Sequence, residues 1–98
     1  MQFTITGRHQ HLDEEVREYV RAKLEKVLHL SERLESAEIV VDATKTGQRV
    51  EAVMHGPNGH RFVAHAEAHD LRTAVDVLEA RLAAQVRAFK DRLTDHRP

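Results

Sequence analysis

The stretch RVEAVMHGPNGHRFVAHAEA, residues 49–68, decides the fold of this 98-residue chain. Its centre, Gly56-Pro57-Asn58-Gly59, is a strong turn signal. On both sides of the turn apolar residues alternate with polar ones, which is the period of a half-buried β-strand. The inward positions are Val50, Ala52 and Met54 before the turn and Phe62, Ala64 and Ala66 after it. The sequence therefore predicts a β-hairpin with strands over 49–55 and 61–68.

The faces of the two strands also predict the register of the hairpin. Antiparallel partners must present their apolar side chains to the same face of the sheet, and a slip by one residue would turn every side chain over. The register that satisfies this rule also pairs complementary polar residues on the outer face. It places Met54 opposite Phe62, Glu51 opposite His65 and Arg49 opposite Glu67.

Two further strands are predicted before the hairpin. Residues 2–6 alternate with Phe3 and Ile5 on one side, and Gly7 is expected to end this strand. Residues 38–43 form the second strand, with an inward side of Ile39, Val41 and Ala43, followed by a loop over residues 44–48. The sequence thus supplies four strands.

A first helix is predicted to follow Asp13, which can cap it, with two acidic residues in its positive first turn. Its apolar positions recur at helical spacing and form one stripe of Val16, Val20, Leu24 and Val27, flanked by Tyr19, Leu28 and Leu30. Lys23 and Lys26 fall on one flank of this stripe, and Arg17 and Arg21 fall on the other. We expect the lysine flank to carry the net positive charge, because nearby glutamates offset the arginine flank.

A second helix is predicted over residues 71–94, capped by Asp70. Its buried stripe is expected to contain Leu71, Val75, Leu78, Leu82, Val86, Phe89 and Leu93. The opposite side carries a line of small apolar residues, Val77, Ala80, Ala84 and Ala88, with Arg81 and Arg92 on one edge and Arg87 on the other. The order β-α-β-β-β-α predicts an α+β two-layer sandwich, in which two helices pack on one face of a four-stranded sheet.

Composition restricts the class of protein. The 15 basic and 16 acidic side chains give a formal net charge of −1, so any basic surface must be local. The absence of cysteine excludes a disulfide framework, a thiolate zinc site and a cysteine nucleophile. The sequence has neither a long apolar run nor a signal-peptide pattern, so we expect a cytoplasmic protein. One domain is expected over residues 1–94, with a short polar end over residues 95–98.

The chain resembles the ribosome hibernation promoting factors, also called ribosome-associated translation inhibitors. The resemblance covers nearly the whole chain and depends on order and spacing rather than on one motif. The residues that carry it are Met1-Gln2-Phe3-Thr4-Ile5-Thr6-Gly7, Val16-Arg17-Glu18-Tyr19-Val20, Ala22-Lys23-Leu24, Lys26, Val50-Glu51-Ala52, Gly59, Ala64, Ala66-Glu67, Asp70-Leu71, Ala74-Val75-Asp76, Leu78, Arg81-Leu82, Gln85, Lys90-Asp91-Arg92-Leu93 and His96.

This resemblance implies a non-enzymatic protein without a cofactor that binds the mRNA and tRNA channel of the small ribosomal subunit. Its partners would be the 30S subunit, the 70S ribosome and 16S rRNA, with a separate protein as a candidate for pairing ribosomes. It also implies RNA contacts by five basic residues: Lys23, Lys26, Arg81, Lys90 and Arg92. We add Arg87, which lies near them in the second helix. The sequence departs from the family at Ala84 and Ala88, where basic residues are usual, and at Arg72, where tyrosine is usual.

Other signals support different functions less well. The eight histidines invite a metal site, but His65 lies on a strand, where residues four apart stand about 13 Å from each other and cannot chelate one ion. No nucleophile is accompanied by a base, so catalysis is not expected. Histidine changes charge near neutral pH, so mild acidification is a hypothesis for stronger RNA binding. The main alternative is a protein-interaction module or weak homodimer that uses the alanine line of the second helix.

Overall fold

A computed structural model, which describes residues 2–31 and 33–94, contains the predicted elements in the predicted order. Its elements are β1 (Gln2–Arg8), α1 (Glu14–Leu28), β2 (Ser36–Ala43), β3 (Gln48–His55), a short 3-10 turn (Pro57–Gly59), β4 (Arg61–Ala68) and α2 (Leu71–Thr94). The α+β two-layer sandwich is confirmed. No helix in this described part of the chain is both long and apolar enough to cross a membrane.

The four strands form one sheet in the order β1-β2-β3-β4. β1 and β2 run parallel, and α1 provides the connection that parallel neighbours require, whereas the other pairs are antiparallel. The predicted register of the hairpin is confirmed at all three pairs, since Met54 lies opposite Phe62, Glu51 opposite His65 and Arg49 opposite Glu67. The outer pair Arg49 and Glu67 also forms a salt bridge of 2.7 Å.

The predicted end of the first strand at Gly7 is wrong. Gly7 continues the parallel pairing opposite Val41, and β1 extends to Arg8. A Cβ atom at Gly7 would lie 2.7 Å from the backbone oxygen of Gln10 and 2.8 Å from Cγ of Leu12. Glycine is therefore needed here because the following chain folds back closely over the strand. β2 and β3 also begin earlier than predicted, at Ser36 and Gln48.

Both helices cover the same face of the sheet and enclose one apolar core. Phe62 in β4 is 2% exposed and is among the largest buried side chains. The predicted α2 stripe is confirmed at its four central positions, while Leu71 and Phe89 are only partly buried and the side chain of Leu93 lies outside the described residues. Ala74 and Ala83 are also buried, which the sequence pattern did not indicate.

The helices α1 and α2 lie side by side and parallel. Tyr19 near the start of α1 contacts Asp76 near the start of α2, and Leu30 after the end of α1 contacts Lys90 near the end of α2. Asp70 caps α2 as predicted, because its carboxylate accepts the Thr73 backbone N–H at 3.0 Å. Asp13 occupies the N-cap position of α1, but its side chain makes no capping hydrogen bond.

Candidate nucleic-acid interface

The two flanks of α1 face different neighbours, as the helical spacing predicts. Arg17 donates to the backbone oxygen of Ile5 in β1 at 2.5 Å. Arg21 pairs with Glu25 at 3.0 Å, and its guanidinium carbon lies 5.6 Å from the centre of the Phe3 ring. The lysine flank faces α2. The groove between the two parallel helices is consequently where the predicted cations of α1 lie beside Arg87 of α2.

Lys23 lies in the part of this groove next to the N-terminal half of α2, where an ion pair that the sequence did not predict holds its side chain. Its Nζ lies 3.0 Å from Oδ1 of Asp76, and only 28% of its side chain is exposed. The same carboxylate oxygen accepts a hydrogen bond of 3.2 Å from the hydroxyl of Tyr19. The guanidinium of Arg72 lies 5.0 Å from the Tyr19 ring centre, within cation–π range.

The pKa values of this cluster are shifted in the directions that the contacts require. The hydrogen bond to Asp76 raises the pKa of Lys23, and the same bond lowers the pKa of Asp76. Partial burial, followed by the charge of Asp76, raises the pKa of Tyr19. Lys23 and Asp76 therefore remain a charged pair at neutral pH, and the positive charge of Lys23 is largely cancelled locally.

Lys26 and Arg87 stand further along the same groove. Together with Glu79 they line a depression of about 360 Å³ whose floor is formed by Val27, Leu30, Ala80 and Ala83. Among the described residues, neither Lys26 nor Arg87 forms an ion pair with a carboxylate. These two cations, one from each helix, are therefore available to an anion outside the protein.

The remaining three predicted cations lie at the end and on the far side of α2. Lys90 donates to the backbone oxygen of Leu30 at the end of the groove. Arg81 lies on the opposite flank and donates to the backbone oxygen of His65 in β4 at 2.6 Å. Arg92 lies near the C-terminal end of the same flank, beside His60. The six predicted residues therefore form two rows, one in the groove between α1 and α2 and one on the opposite flank of α2, as the spacing of the arginines in α2 predicted.

The line of small residues on α2 lies between these two rows and contributes to two depressions. Val77, Ala80 and Ala84 contribute to an open depression of about 510 Å³, together with Thr73, Asp76 and Arg81. Ala88 does not line this depression but contributes to a separate notch next to β4. The face that this line offers to a partner helix stays a prediction.

Two of the described histidines, His9 and His55, lie on the sheet side of the molecule. His9 and His55 each place a ring nitrogen 2.8 Å from a carboxylate oxygen, of Asp42 and Glu38 respectively. Both carboxylates belong to β2, on the face of the sheet that the helices leave open. His96 lies outside the described residues. These two histidines therefore contact the open face of the sheet and not the groove between the helices.

His60 has a role that the sequence analysis missed. Its ring stacks on Phe89 with centres 4.5 Å apart and planes at 30°, and it contacts the edge of Phe62 at 4.5 Å. The alternation of β4 contained the signal, because His60 stands two residues before the inward-facing Phe62 and shares its phase. The placement of Phe89 against both rings depends on the packing of α2, which no local pattern provides.

Comparison with known proteins agrees with this fold and arrangement. The family model described as Sigma 54 modulation protein / S30EA ribosomal protein matches residues 3–94. The ribosome hibernation promoting factor of Escherichia coli (strain K12) is 34% identical over 96 residues, which cover 98% of this chain and 100% of that protein. Its counterpart in Pseudomonas putida is 32% identical over 92 residues, 94% of this chain and 89% of that protein.

Two solved structures share the whole fold. A ribosomal subunit interface protein from Coxiella burnetii superposes with a TM-score of 0.84 at 26% identity, covering 92% of this chain and 98% of that one. The N-terminal domain of Thermus thermophilus Protein Y superposes with a TM-score of 0.82 at 27% identity, covering 91% and 99%. Sequence, family model and structure agree that this chain belongs to the Sigma 54 modulation protein / S30EA ribosomal protein family.

Proposed function

We propose that this protein is a ribosome hibernation factor that binds the mRNA and tRNA channel of the small ribosomal subunit, inhibits translation and preserves idle ribosomes. Residues 1–94 act as a single ribosome-binding domain in the cytoplasm, and its partners are the 30S subunit, the 70S ribosome and 16S rRNA. The observation that carries the proposal is the pair Lys26 and Arg87, which face one groove from two helices without a carboxylate partner.

The chemistry of the two rows suits a phosphate backbone. Cations on long side chains bind phosphate oxygens without reading the base sequence, and such contacts position a protein on RNA. The row at the groove consists of Lys23, which Asp76 neutralises, and of Lys26, Arg87 and Lys90. The second row consists of Arg81 and Arg92. Occupying a channel requires positioning only, so the proposed role is non-enzymatic, in keeping with the names of the relatives.

The proposal also predicts a moderate affinity. The formal net charge of −1 provides little long-range attraction, and alanine replaces two cations that the family usually has on α2. Each missing phosphate contact reduces the salt dependence of binding by about one power of the salt concentration. Binding should therefore depend strongly on the few cations that remain available.

Co-sedimentation with purified 30S subunits and 70S ribosomes at low and moderate salt tests the proposal. We expect stoichiometric co-sedimentation at low salt, which decreases at moderate salt and is lost in a double variant with Lys26→Glu and Arg87→Glu. The matched control is Lys45→Glu, which changes an exposed lysine in the loop between β2 and β3. The proposal is wrong if the wild-type protein stays in the supernatant at low salt, or if the double variant sediments as well as the control does.

A protein-interaction module or homodimer is the second candidate function. The open depression of about 510 Å³ around Val77, Ala80 and Ala84 is the observation that favours it. Small residues allow a second helix to approach closely, and burial of an apolar face tolerates salt. Sedimentation velocity of the wild type and of Ala84→Glu separates the two candidates, because a dimer through this face would resist salt and dissociate in the variant.

A further inference from the structure

A small notch at the C-terminal half of α2 combines one of the proposed phosphate contacts, Arg92, with four residues that those contacts do not use. It is lined by His60, Phe62, Gln85, Ala88 and Arg92 and has a volume of about 270 Å³. His60 directly precedes β4, and the other side chains come from β4 and from successive turns of α2. The notch thus lies where the end of the second helix crosses the start of the last strand.

Aromatic packing fixes one wall of the notch. Phe89 stacks on His60 and meets the buried Phe62 at 87°, with ring centres 5.4 Å apart. Phe89 does not line the notch. It packs against the face of the His60 imidazole that points away from the notch. The imidazole is half-buried and makes no hydrogen bond within residues 2–31 and 33–94, so it presents a fixed planar ring to the notch.

The rest of the notch is lined by the cation Arg92, the amide of Gln85 and the small side chain of Ala88. Arg92 forms no ion pair with a described carboxylate, and its guanidinium is planar like the imidazole across the notch. The Gln85 amide nitrogen donates to the backbone oxygen of Val63 at 2.8 Å, which fixes the amide and leaves its oxygen as an acceptor. Ala88 is exposed and has no long side chain, so its side of the notch is open.

We propose that this notch binds an unpaired nucleobase of RNA. Bases that are not paired stack on aromatic rings and on arginine guanidinium planes, whatever their sequence. The notch is smaller than the roughly 300–1,000 Å³ of sites that enclose whole ligands, which suits one base with its sugar and phosphate outside. The inference rests on the proposed function, because that function brings RNA to this surface.

The test uses two probes that share a sugar phosphate and differ in the base. Adenosine 5′-monophosphate and ribose 5-phosphate are titrated separately into the ¹⁵N-labelled protein, and backbone amide shifts are followed by NMR. The variant Ala88→Leu fills the notch without changing charge, and Ala84→Leu adds the same side chain one turn earlier as a control. Both positions are exposed and leucine favours helices, so both variants should fold.

The expected result is saturable shifts at His60, Ala88 and Phe89 with the nucleotide and much smaller ones with ribose 5-phosphate. Ala88→Leu should weaken nucleotide binding by about tenfold or more, the loss expected for one stacked base, and Ala84→Leu should not. Equal shifts with both probes would show an anion site only and overturn the inference, as would no shifts or unchanged binding by Ala88→Leu. Wild-type co-sedimentation with 30S subunits tests the proposed function separately, so the two can fail independently.

Discussion

The two lysines on the groove side of α1 should contribute differently to ribosome binding, although they are three residues apart. Lys26 has no carboxylate partner among the described residues, whereas Lys23 is paired with Asp76 at 3.0 Å. We predict that Lys26→Gln reduces the salt dependence of binding and that Lys23→Gln leaves it nearly unchanged. Each substitution removes one positive charge, so the pair forms a matched comparison.

The expected size follows from counterion release. Each phosphate contact changes the slope of log K against log salt by about 0.7 to 0.9. Between roughly 50 and 200 mM salt, the affinity should therefore fall about 2.6- to 3.5-fold less for Lys26→Gln than for the wild type. Lys23 releases few counterions on binding, because Asp76 already neutralises it. Asp76→Asn should free this lysine and make the slope steeper by up to the same amount.

The assay is fluorescence anisotropy of labelled protein titrated with 30S subunits at four salt concentrations in this range. The slope is fitted for the wild type and for Lys23→Gln, Lys26→Gln and Asp76→Asn. A slope for Lys23→Gln that decreases as much as the slope for Lys26→Gln would refute the reasoning, because it would mean that Lys23 leaves Asp76 and contacts phosphate. An unchanged slope for Lys26→Gln would equally exclude Lys26 as a contact.

Three further predictions concern stability. Asp70→Ala should lower the melting temperature by several degrees, and Asp13→Ala by less, because only Asp70 makes a capping hydrogen bond; thermal unfolding followed by circular dichroism measures both. Phe62→Ala should destabilise the fold by about 3–5 kcal/mol in urea unfolding, since a fully buried ring is removed. The ion pair with Lys23 lowers the pKa of Asp76 in the folded protein. The pair therefore stabilises the fold above the usual aspartate pKa, and this stabilisation is lost as pH falls through the lowered pKa of the folded state. Below about pH 4 the melting temperature of Asp76→Asn should consequently fall less steeply than that of the wild type.

The hairpin could be predicted in detail because its determinants are local. The turn at residues 56–59 fixes which strands meet, and the two-residue period fixes which faces match. The end of β1 could not be predicted, because Gly7 serves a close approach of Gln10 and Leu12 rather than a turn. Glycine occurs in sequences both at turns and where another part of the chain approaches the backbone closely. Only the folded structure shows which of these two reasons applies at Gly7.

The candidate site was predictable by residue type but not by pairing. Helical spacing placed Lys23 on the correct flank of α1, yet its partner Asp76 is 53 positions away in sequence. No periodicity connects residues on two helices until their parallel packing is known. The hypothesis that acid strengthens RNA binding likewise remains a prediction, and His9 and His55 face carboxylates of the sheet instead of the groove. The two shorter extents of the molecule are 24 and 19 Å. Charges on its opposite faces are therefore separated by more than the Debye length of about 10 Å at 0.1 M salt, and the sheet side is largely screened from the groove.

The contrast between Arg81 and Lys23 shows why an intramolecular contact does not by itself exclude an RNA contact. β1 and β4 are the two edge strands of the sheet. Arg81 donates to a backbone oxygen of β4 and Arg17 donates to one of β1, so each arginine binds a backbone acceptor of an edge strand. A carbonyl oxygen carries no net charge, and a guanidinium has five donors, so Arg81 keeps its positive charge and can still bind a phosphate. Lys23 faces a carboxylate that cancels its charge. The charge of the partner, rather than the presence of a hydrogen bond, therefore decides which cations remain available to RNA.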